Sequence, residues 1–264
     1  MTSFFLVFSF ILGTIIGSFL NVVTFRYNTG MTLGGRSKCF SCNKILSWIE
    51  LFPVLSFIMQ GGSCKKCKSK ISWQYPLVEI GAGILFVFVF FFFPPVSVTA
   101  SFATIFYLFI TCLLVIITVY DIRHKIIPDP LVYTFAIVAL AHLFISSDLS
   151  FILPSFLNLL SGPIIAFPFF LLWLISKGTW MGLGDAKLAL GIGWTLGLFS
   201  AISAVALAFW VGAGISIVWM VIVYRKFKAR YEIPFGPYLI LGMYLVLFFN
   251  IQVFDVNVFL SLFS

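Results

Sequence analysis

The sequence predicts an all-α integral membrane protein, a polytopic bundle of about eight transmembrane helices with a small zinc-bound cytoplasmic domain between helices one and two. Hydrophobic residues make up 62% of the 264 residues and charged residues only 9%, whereas soluble domains average roughly 25% charged. The mean hydropathy is +1.15. The apolar runs are continuous, while a transmembrane β-barrel would alternate apolar and polar residues over segments of about ten residues. A bundle of helices that satisfies its own backbone hydrogen bonds is therefore expected.

Eight apolar segments are candidate membrane spans. They cover residues 3–25, 76–93, 100–120, 131–147, 153–176, 185–200, 203–224 and 236–254. Span six, counted from Asp185 to the polar residue Ser200, has about fifteen residues and a length of roughly 23 Å. This is shorter than a hydrocarbon core of about 30 Å. A short span is expected to bring water close to Asp185, although tilted neighbours also accommodate short helices.

The charges of the chain predict its orientation. All 16 Lys and Arg residues fall in loops on one side of this arrangement, including the cluster Arg225, Lys226, Lys228 and Arg230, while Asp148 and Asp255 fall on the other side. By the positive-inside rule the basic side is the cytoplasm and both termini lie outside. The net charge of +8 is thus a topology signal that suits anionic lipid, and binding of nucleic acid is not expected.

The first span is expected to be a retained helix rather than a cleaved signal peptide, because no basic residue precedes it and it lacks a small-residue cleavage site followed by a polar mature chain. It contains Gly13 and Gly17 four residues apart. This spacing permits close approach of two membrane helices. Two glycines in a glycine-tolerant membrane helix are an equally good interpretation.

The polar insert at residues 26–75 contains two Cys-x-x-Cys pairs separated by 21 residues, formed by Cys39, Cys42, Cys64 and Cys67. Each pair directs two thiolates towards one point, and two pairs complete a tetrahedral zinc site. An insert this short usually needs a metal, disulfides or a partner to be stable. Two disulfides are the alternative, which a reducing cytoplasm disfavours. The fifth cysteine, Cys112, lies within a span and is expected to pack as a small apolar residue.

Two carboxylates stand at the ends of apolar runs and suggest a site. Asp121 ends the third span, and Asp185 follows Gly182 and Gly184 at the start of the sixth. Ionisable groups at membrane depth are usually functional. Two close carboxylates can share a proton and perform aspartic-protease chemistry without a metal. The residues alone leave two alternatives open: structural roles as helix caps or ion-pair partners, and a proton relay in a transporter.

Several motifs in sequence order carry a resemblance to a known family. They are Gly17-Ser-Phe-Leu-Asn-Val-Val23, the two Cys pairs, Tyr75-Pro-Leu-Val-Glu79, Asp121 with Ile127-Pro128-Asp129, Gly182-Leu-Gly-Asp-Ala-Lys-Leu188, and Ile233-Pro-Phe-Gly-Pro237. On these residues the chain resembles the bacterial prepilin peptidases (type IV leader peptidases), which are Gly-x-Gly-Asp aspartic membrane proteases.

The resemblance implies a function for each part. Residues 1–25 would be the first transmembrane helix, residues 26–75 the cytoplasmic zinc-binding domain, and residues 76–264 a seven-helix membrane catalytic domain. Asp121 and Asp185 would be the catalytic aspartates, with Gly182 and Gly184 in the family motif. The enzyme would lie in the bacterial cytoplasmic membrane with its active site facing the cytoplasm.

The resemblance also implies substrates and cofactors. The substrates would be prepilins or pseudopilins, cut after a glycine and before a hydrophobic helix that often starts with phenylalanine. Zinc would be structural, and many members methylate the new N-terminus with S-adenosylmethionine. Because prepilin leaders are basic, Glu79 is a candidate substrate-binding residue, together with the other available acid, Glu50. The transporter is the alternative function, but no internal repeat of the kind many transporters show is found.

Overall fold

The computed structural model describes residues 2–30, 32, 34–145, 149–223 and 234–253. The predicted basic cluster at Arg225, Lys226, Lys228 and Arg230 lies outside the described residues, and so do Asp148, Asp255 and Ile233. The described part of the chain is helical and contains isolated β-bridges but no strand, which confirms the all-α prediction.

The helices follow one another along nearly the whole chain. They are α1 (Thr2–Arg26), a 3-10 helix (Trp48–Leu51), α2 (Leu55–Met59), α3 (Gln74–Phe92), α4 (Val98–His124), α5 (Asp129–His142), α6 (Phe156–Ser176), α7 (Leu183–Leu196), α8 (Leu198–Val223) and α9 (Gly236–Phe249). Apart from the 3-10 helix and α2, which belong to the polar insert, these helices take the places of the eight predicted spans.

The helices in the span positions fall into two length classes. Five described helices, α1, α3, α4, α6 and α8, are long and apolar enough to cross a membrane. The other three, α5, α7 and α9, have 14 residues each, or about 21 Å. The sequence predicted only the span at α7 to be short.

The ends of several helices differ from the predicted spans for local reasons. The helix α4 continues past residue 120 and ends only where Lys125 adopts φ 56. Gly197, with φ 77, ends α7 at Leu196, so α8 begins earlier than predicted. Asn250, with φ 50, ends α9 at Phe249. Left-handed residues of this kind stop helices, and apolar composition continues across Gly197.

The chain divides into two compact units, Met1–Val119 and Tyr120–Ser264, with the boundary inside α4. In the first unit α1 packs against α3 through glycines. A Cβ at Gly13 would lie 2.8 Å from Gly83 Cα, and a Cβ at Gly17 would lie 2.9 Å from Ala82 Cβ. Both distances are too short for a side chain, so the glycine pair in α1 serves close helix contact.

In the second unit α7 is packed among α5, α6, α8 and α9. Gly191 contacts the ring of Phe135 in α5, and a Cβ at Gly193 would lie 2.7 Å from Gly162 Cα in α6. The Ser161 hydroxyl donates a 2.8 Å hydrogen bond to the Gly193 carbonyl and reinforces the second contact. Small residues in the second half of α7 thus let the backbones approach and hold this helix against α5 and α6.

Candidate active site and metal centre

Asp121 lies in the last turn of α4, where the helix enters the second unit. Its side chain is buried, and Oδ2 has no hydrogen-bond partner in the described part of the chain. The backbone N–H of Gly236, the first residue of α9, donates to the carboxylate. A buried carboxylate oxygen without a partner is destabilising, and such groups are usually retained for function.

Asp185 lies in the first turn of α7 and is also buried. The N-cap of this helix is Gly182, whose N–H donates to the Asp185 carboxylate. In return the Asp185 N–H donates a 3.3 Å hydrogen bond to the Gly182 carbonyl. Asp185 is therefore the third helical residue rather than the cap itself, and its charge also suits the positive end of the helix dipole.

The two aspartates are brought together by a short series of contacts. Gly236 lies against Asp121, and a Cβ at Gly236 would lie 3.2 Å from Ile127 Cδ1. A Cβ at Gly184, the residue before Asp185, would lie 2.7 Å from Ile127 Cβ. Ile127 thus packs between the two glycines that flank the carboxylates. Asp121 also interacts electrostatically with Asp185, so the two carboxylates lie near each other; their catalytic role stays a prediction.

The two glycines of the Gly-x-Gly-Asp motif differ in their surroundings. Gly184 has no room for a side chain because of Ile127. Gly182 has φ −74, which any residue adopts, and a Cβ there would make only ordinary contacts, 3.9 Å from Asp185 Oδ2. Close packing against Ile127 explains why residue 184 is glycine. Nothing packs closely on Gly182, so there is open space beside the Asp185 carboxylate at this position.

A third aspartate near the site has a structural partner. Asp129 is exposed, and its Oδ1 accepts a 2.6 Å hydrogen bond from Lys187 Nζ. The same ammonium group lies 4.8 Å from the centre of the Tyr133 ring. These contacts join the first turns of α5 and α7. The N-cap of α5 is Pro128, so Asp129 is the first residue of the helix and forms this ion pair rather than a cap.

In the first unit the two Cys-x-x-Cys pairs form two loops with the same hydrogen-bond pattern. The Cys39 N–H donates to Lys44 O and the Asn43 N–H to Cys39 O; the Cys64 N–H donates to Ser69 O and the Lys68 N–H to Cys64 O. Asn43 and Lys68 both have positive φ, at 53 and 59. The loops are therefore two copies of one backbone turn, each presenting two thiols.

The four thiols converge on one point. The Sγ atoms of Cys39, Cys42, Cys64 and Cys67 all lie within 4.8 Å of one another, and those of Cys39 and Cys67 are 3.8 Å apart. All are free thiols rather than disulfides. Tetrahedral zinc with Zn–S distances of about 2.3 Å separates its sulfur ligands by about 3.8 Å. The donor set and its spacing therefore fit zinc.

The surroundings favour the ionised form of Cys39 and Cys67. At Cys42 the lowering effect of the Lys44 N–H is outweighed by burial and the neighbouring thiols, which raise the pKa of Cys42 to about 11. The N–H groups of Cys42 and Ser41 lower the pKa of Cys39 to about 6. The Ser69 hydroxyl lies 3.1 Å from Cys67 Sγ and 3.7 Å from Cys39 Sγ, and it lowers the pKa of Cys67. Hydrogen bonds of this kind orient metal ligands. Ser69 is a supporting residue that the spacing of the cysteines did not reveal.

Glu50 is committed to the fold of the insert. Its carboxylate accepts a 2.7 Å hydrogen bond from Lys44 Nζ and a 2.9 Å bond from the Ser47 N–H. Lys44 and Ser47 together lower the pKa of Glu50 to about 2. Glu50 is buried, so it is not the available attractive charge for a basic leader that the sequence suggested.

Glu79 lies in α3 and is buried as well. Its Oε2 accepts a 2.7 Å hydrogen bond from the N–H of Val54. Val54 has φ 60 and ψ −53, a strained conformation for a β-branched residue. Glu79 thus has a partner inside the first unit, and its predicted role in binding substrate stays a prediction.

Sequence reasoning missed Ile127 and Gly236 as members of the site. Ile127 was noted only as part of the Ile-Pro-Asp motif, and Gly236 only as part of the Pro-Phe-Gly-Pro loop before α9. The prolines on both sides of Gly236 predict an irregular backbone at the start of this helix. They do not indicate which residue the glycine contacts.

Comparisons with known proteins agree with this architecture. A model of the bacterial peptidase A24 N-terminal domain matches residues 11–93, and a model of the type IV leader peptidase family matches residues 108–217. A protein from Bacillus subtilis named prepilin leader peptidase/N-methyltransferase is 30% identical over 242 residues, which are 88% of this chain and 90% of that protein. No solved structure matches the chain.

Two further relatives have the same name as the Bacillus protein. The one from Xanthomonas campestris is 28% identical over 282 residues, covering 92% of this chain and 91% of that protein. The one from Myxococcus xanthus is 43% identical over 83 residues, covering 31% of this chain and 25% of that protein.

The fold and the two sites define a class: a multi-pass helical membrane protein with a pair of buried aspartates and a four-thiol centre. The matched models and the Bacillus relative then identify the family within this class. The chain belongs to the type IV leader peptidase family. The comparisons give no support to the transporter alternative.

Proposed function

We propose that the chain is a membrane aspartic endopeptidase that removes the basic leader of type IV prepilins or pseudopilins at a Gly-Phe-like junction. The observation that carries this proposal is the arrangement of Asp121 and Asp185 around Ile127. The family and the names of the relatives support the reaction class. The site would face the cytoplasm of a bacterium whose cytoplasmic membrane holds the protein, with both termini outside.

The two carboxylates would divide the work of hydrolysis. The ionised one takes a proton from a water molecule, whose oxygen adds to the carbonyl carbon of the glycine. The protonated one donates to the carbonyl oxygen, which gives a neutral tetrahedral intermediate. When the C–N bond breaks, the leaving amine receives a proton from the first carboxyl group, and a hydroxyl of the intermediate returns a proton to the second carboxylate as the new carbonyl forms. A pair that shares one proton is suited to both roles.

The substrate would approach Asp185 beside Gly182. The nearest atoms to a Cβ at Gly182 are ordinary contacts, so the backbone there leaves space on one side of the carboxylate. The site also starts at the first turn of a 14-residue helix, which is too short to span the hydrocarbon core at about 1.5 Å per residue. Both features support access of water and of an extended peptide.

The four cysteines would hold one structural zinc ion in the insert. Its role when bound is to fix the two loops against each other, since an insert of this size has little core of its own. Cys39, Cys42, Cys64 and Cys67 are the ligands, and Ser69 supports two of them. No step of the peptidase reaction passes through the metal.

The relatives are named for a second activity, N-methyltransferase. We propose that this chain also methylates the new N-terminus with S-adenosylmethionine. The described residues include no set of side chains that specifies a site for this cofactor. The assay for cleavage can test for the methyl group as well.

The test is cleavage of a prepilin-type peptide by the full chain reconstituted in lipid vesicles. The peptide carries a basic leader, a Gly-Phe junction and a hydrophobic helix, and mass spectrometry reports both cleavage and methylation when S-adenosylmethionine is present. Asp121→Asn and Asp185→Asn are each expected to lower kcat at least 10³-fold, in the range seen when aspartic or serine catalytic groups are removed.

Asp129→Asn is the matched control, because it removes a carboxylate that neighbours the site but is exposed and paired with Lys187. It is expected to retain kcat within a few-fold. Full activity of either Asp121→Asn or Asp185→Asn would remove that aspartate from the chemistry. Equal loss in all three variants would indicate damage to the fold instead.

A further inference from the structure

The polar insert carries an apolar surface that the aspartic and zinc sites do not use. Its largest exposed side chains include Trp48, 72% exposed, Ile58, 67%, and Met59, 69%. We call this surface the apolar ridge; its members are Trp48, Ile49, Leu51, Phe52, Leu55, Ile58 and Met59, all of them exposed. A water-facing domain of this size has no reason to present so many large apolar side chains together.

The helix α2 shows that the ridge is one face of an ordered element. Leu55, Ile58 and Met59 are spaced i, i+3 and i+4, so they share one side of the helix. The side chain of Phe57 lies on another side, with its ring 4.9 Å from the ring of Trp73. The Phe57 carbonyl also accepts a 3.0 Å hydrogen bond from the Gly62 N–H. One side of α2 therefore packs on protein, and the other has no protein covering it in the described part of the chain.

The hydrogen bond from Val54 to Glu79 fixes the position of the apolar ridge along α3. Glu79 lies five residues after the start of α3, which is one of the helices long and apolar enough to cross a membrane. Five residues correspond to about 7.5 Å along the helix axis. Since Val54 N is 2.7 Å from Glu79 Oε2, and helical side chains lean toward the helix N-terminus, the residue that immediately precedes α2 lies beside the first two turns of α3.

The start of a membrane-spanning helix lies near a particular layer of a bilayer, and α3 is a candidate span. Helices that lie in the plane of a membrane bury their apolar face about 5–10 Å into the boundary between headgroups and acyl chains. Tryptophan side chains favour the same layer, and Trp48 and Trp73 are both exposed at this end of the unit.

Basic residues border the ridge as well. An open hollow of about 340 Å³ is lined by Arg36, Lys44 and Lys65 together with Ser47 and Glu50. Ser47 and Glu50 belong to the turn that carries Trp48. Because Lys44 is paired with Glu50, Arg36 and Lys65 supply the cationic groups beside the apolar side chains. Cations beside an apolar face are complementary to anionic lipid headgroups above acyl chains.

We propose that the apolar ridge is a membrane-surface anchor, seated in the headgroup–acyl boundary of an anionic bilayer, so that the zinc-binding insert is held on the membrane rather than free in solution. The anchor is clamped to α3 through the Glu79–Val54 hydrogen bond. The occupant of the ridge is phospholipid. A prepilin chain or a second copy of this protein would be a different occupant, and the test separates them.

The test uses the zinc-loaded full chain in vesicles of phosphatidylethanolamine and phosphatidylglycerol. A photo-crosslinking benzoylphenylalanine replaces Ile58 in one variant and Lys66, an exposed residue of the second Cys loop, in the matched control. Mass spectrometry after irradiation is expected to find lipid adducts at least tenfold more abundant at residue 58 than at residue 66. Zinc content measured on both variants reports that the insert is folded.

Equal yields at the two positions would overturn the anchor, and so would adducts to a second copy of the chain. Added prepilin-type peptide is expected to leave the lipid adducts at residue 58 unchanged. Peptide adducts that replace them would assign the ridge to the substrate.

Hydroxyl-radical oxidation of unmodified protein supplies a measurement that needs no variant. Met59 is expected to be oxidised in vesicles at less than a tenth of its rate in the urea-unfolded chain, because lipid covers a side chain that the protein leaves exposed. A rate close to that of the unfolded chain would overturn the proposal. Protection that disappears when the protein-to-lipid ratio is lowered would overturn it too, in favour of a second copy.

Discussion

Gly236 lies directly against the carboxylate of Asp121: a Cβ built at Gly236 would sit 2.6 Å from Asp121 Oδ2. The backbone N–H of the same residue donates to that carboxylate. The start of α9 therefore supports one member of the aspartate pair through its backbone alone, at a position where any side chain would push the carboxylate away.

Gly236→Ala is expected to lower kcat about 10²-fold, since a displacement of the order of 1 Å at a reacting group has an effect of that size. Its Tm is expected to change little, because alanine is a better helix former than glycine. Cleavage kinetics and thermal unfolding in detergent are the measurements. Gly214→Ala is the matched control, because a Cβ at Gly214 meets nothing within 4 Å; an equal loss of activity there would contradict the argument.

The two motif glycines are expected to respond differently to alanine. Gly184→Ala places a Cβ 2.7 Å from Ile127 Cβ, so α7 must shift, and both Tm and kcat should fall. Overpacking of this kind typically costs about 1–3 kcal/mol. Gly182→Ala meets no such contact and should keep the wild-type Tm.

The activity of Gly182→Ala then reports on the substrate. We expect a lower kcat/KM at unchanged Tm, because a methyl group there narrows the approach to Asp185 Oδ2. A variant with wild-type kcat/KM would show that the peptide reaches the carboxylate from another side. A fall in Tm as large as that of Gly184→Ala would contradict the packing described for Gly182.

The residues that could be predicted from the sequence are those whose chemistry conflicts with their surroundings. Asp121 and Asp185 stand out as charges beside apolar runs, and four cysteines at Cys-x-x-Cys spacing suit one metal whatever the loop conformation. Ile127 and Gly236 have no such conflict. Their importance comes from close approach between α7, α9 and the segment that joins α4 to α5, and a close approach depends on the three-dimensional packing rather than on local composition.

The same limit explains the helix lengths. Apolar composition continues past Leu196 into α8, and only the positive φ of Gly197 separates the two helices. Apolar composition likewise continues past the end of α9, which stops because Asn250 turns left-handed. Hydropathy describes which residues avoid water, and it carries little information on where a backbone turn falls within an apolar stretch. The short α9 was missed for this reason, whereas α5 ends at His142 with Leu143 in the right-handed region.

Removal of zinc is expected to unfold the insert while the membrane helices remain folded. Structural zinc supplies much of the folding free energy of small metal-bound domains, and the described loops around Cys39 and Cys64 are joined through the thiols. Metal analysis should find one zinc per chain. A chelator should raise amide hydrogen exchange over residues 37–71 and leave α7 protected.

Single Cys→Ser substitutions at Cys39, Cys42, Cys64 and Cys67 should each lose the metal, whereas Cys112→Ser should retain it, since Cys112 lies in α4. Ser69→Ala is expected to weaken zinc affinity about 10- to 100-fold, the usual effect of losing a supporting hydrogen bond. Ser63→Ala is its control, because that hydroxyl donates to Gln60 O instead of a thiol. Unchanged affinity in Ser69→Ala would remove Ser69 from the metal centre.

Glu79 can be tested with two substitutions that separate its charge from its hydrogen bond to Val54. Glu79→Gln keeps an acceptor oxygen and removes the charge, and Glu79→Leu removes both. We expect hydrogen exchange of the Val54 amide to stay slow in Glu79→Gln and to accelerate at least tenfold in Glu79→Leu, because the strained Val54 backbone loses the partner that holds it. Equal exchange in the two variants would show that the 2.7 Å bond does not fix the insert.

The same pair of variants tests the predicted contact between Glu79 and a basic leader. A higher KM at unchanged kcat in Glu79→Gln, with the Val54 amide still protected, supports substrate binding. An unchanged KM with a lower kcat contradicts it.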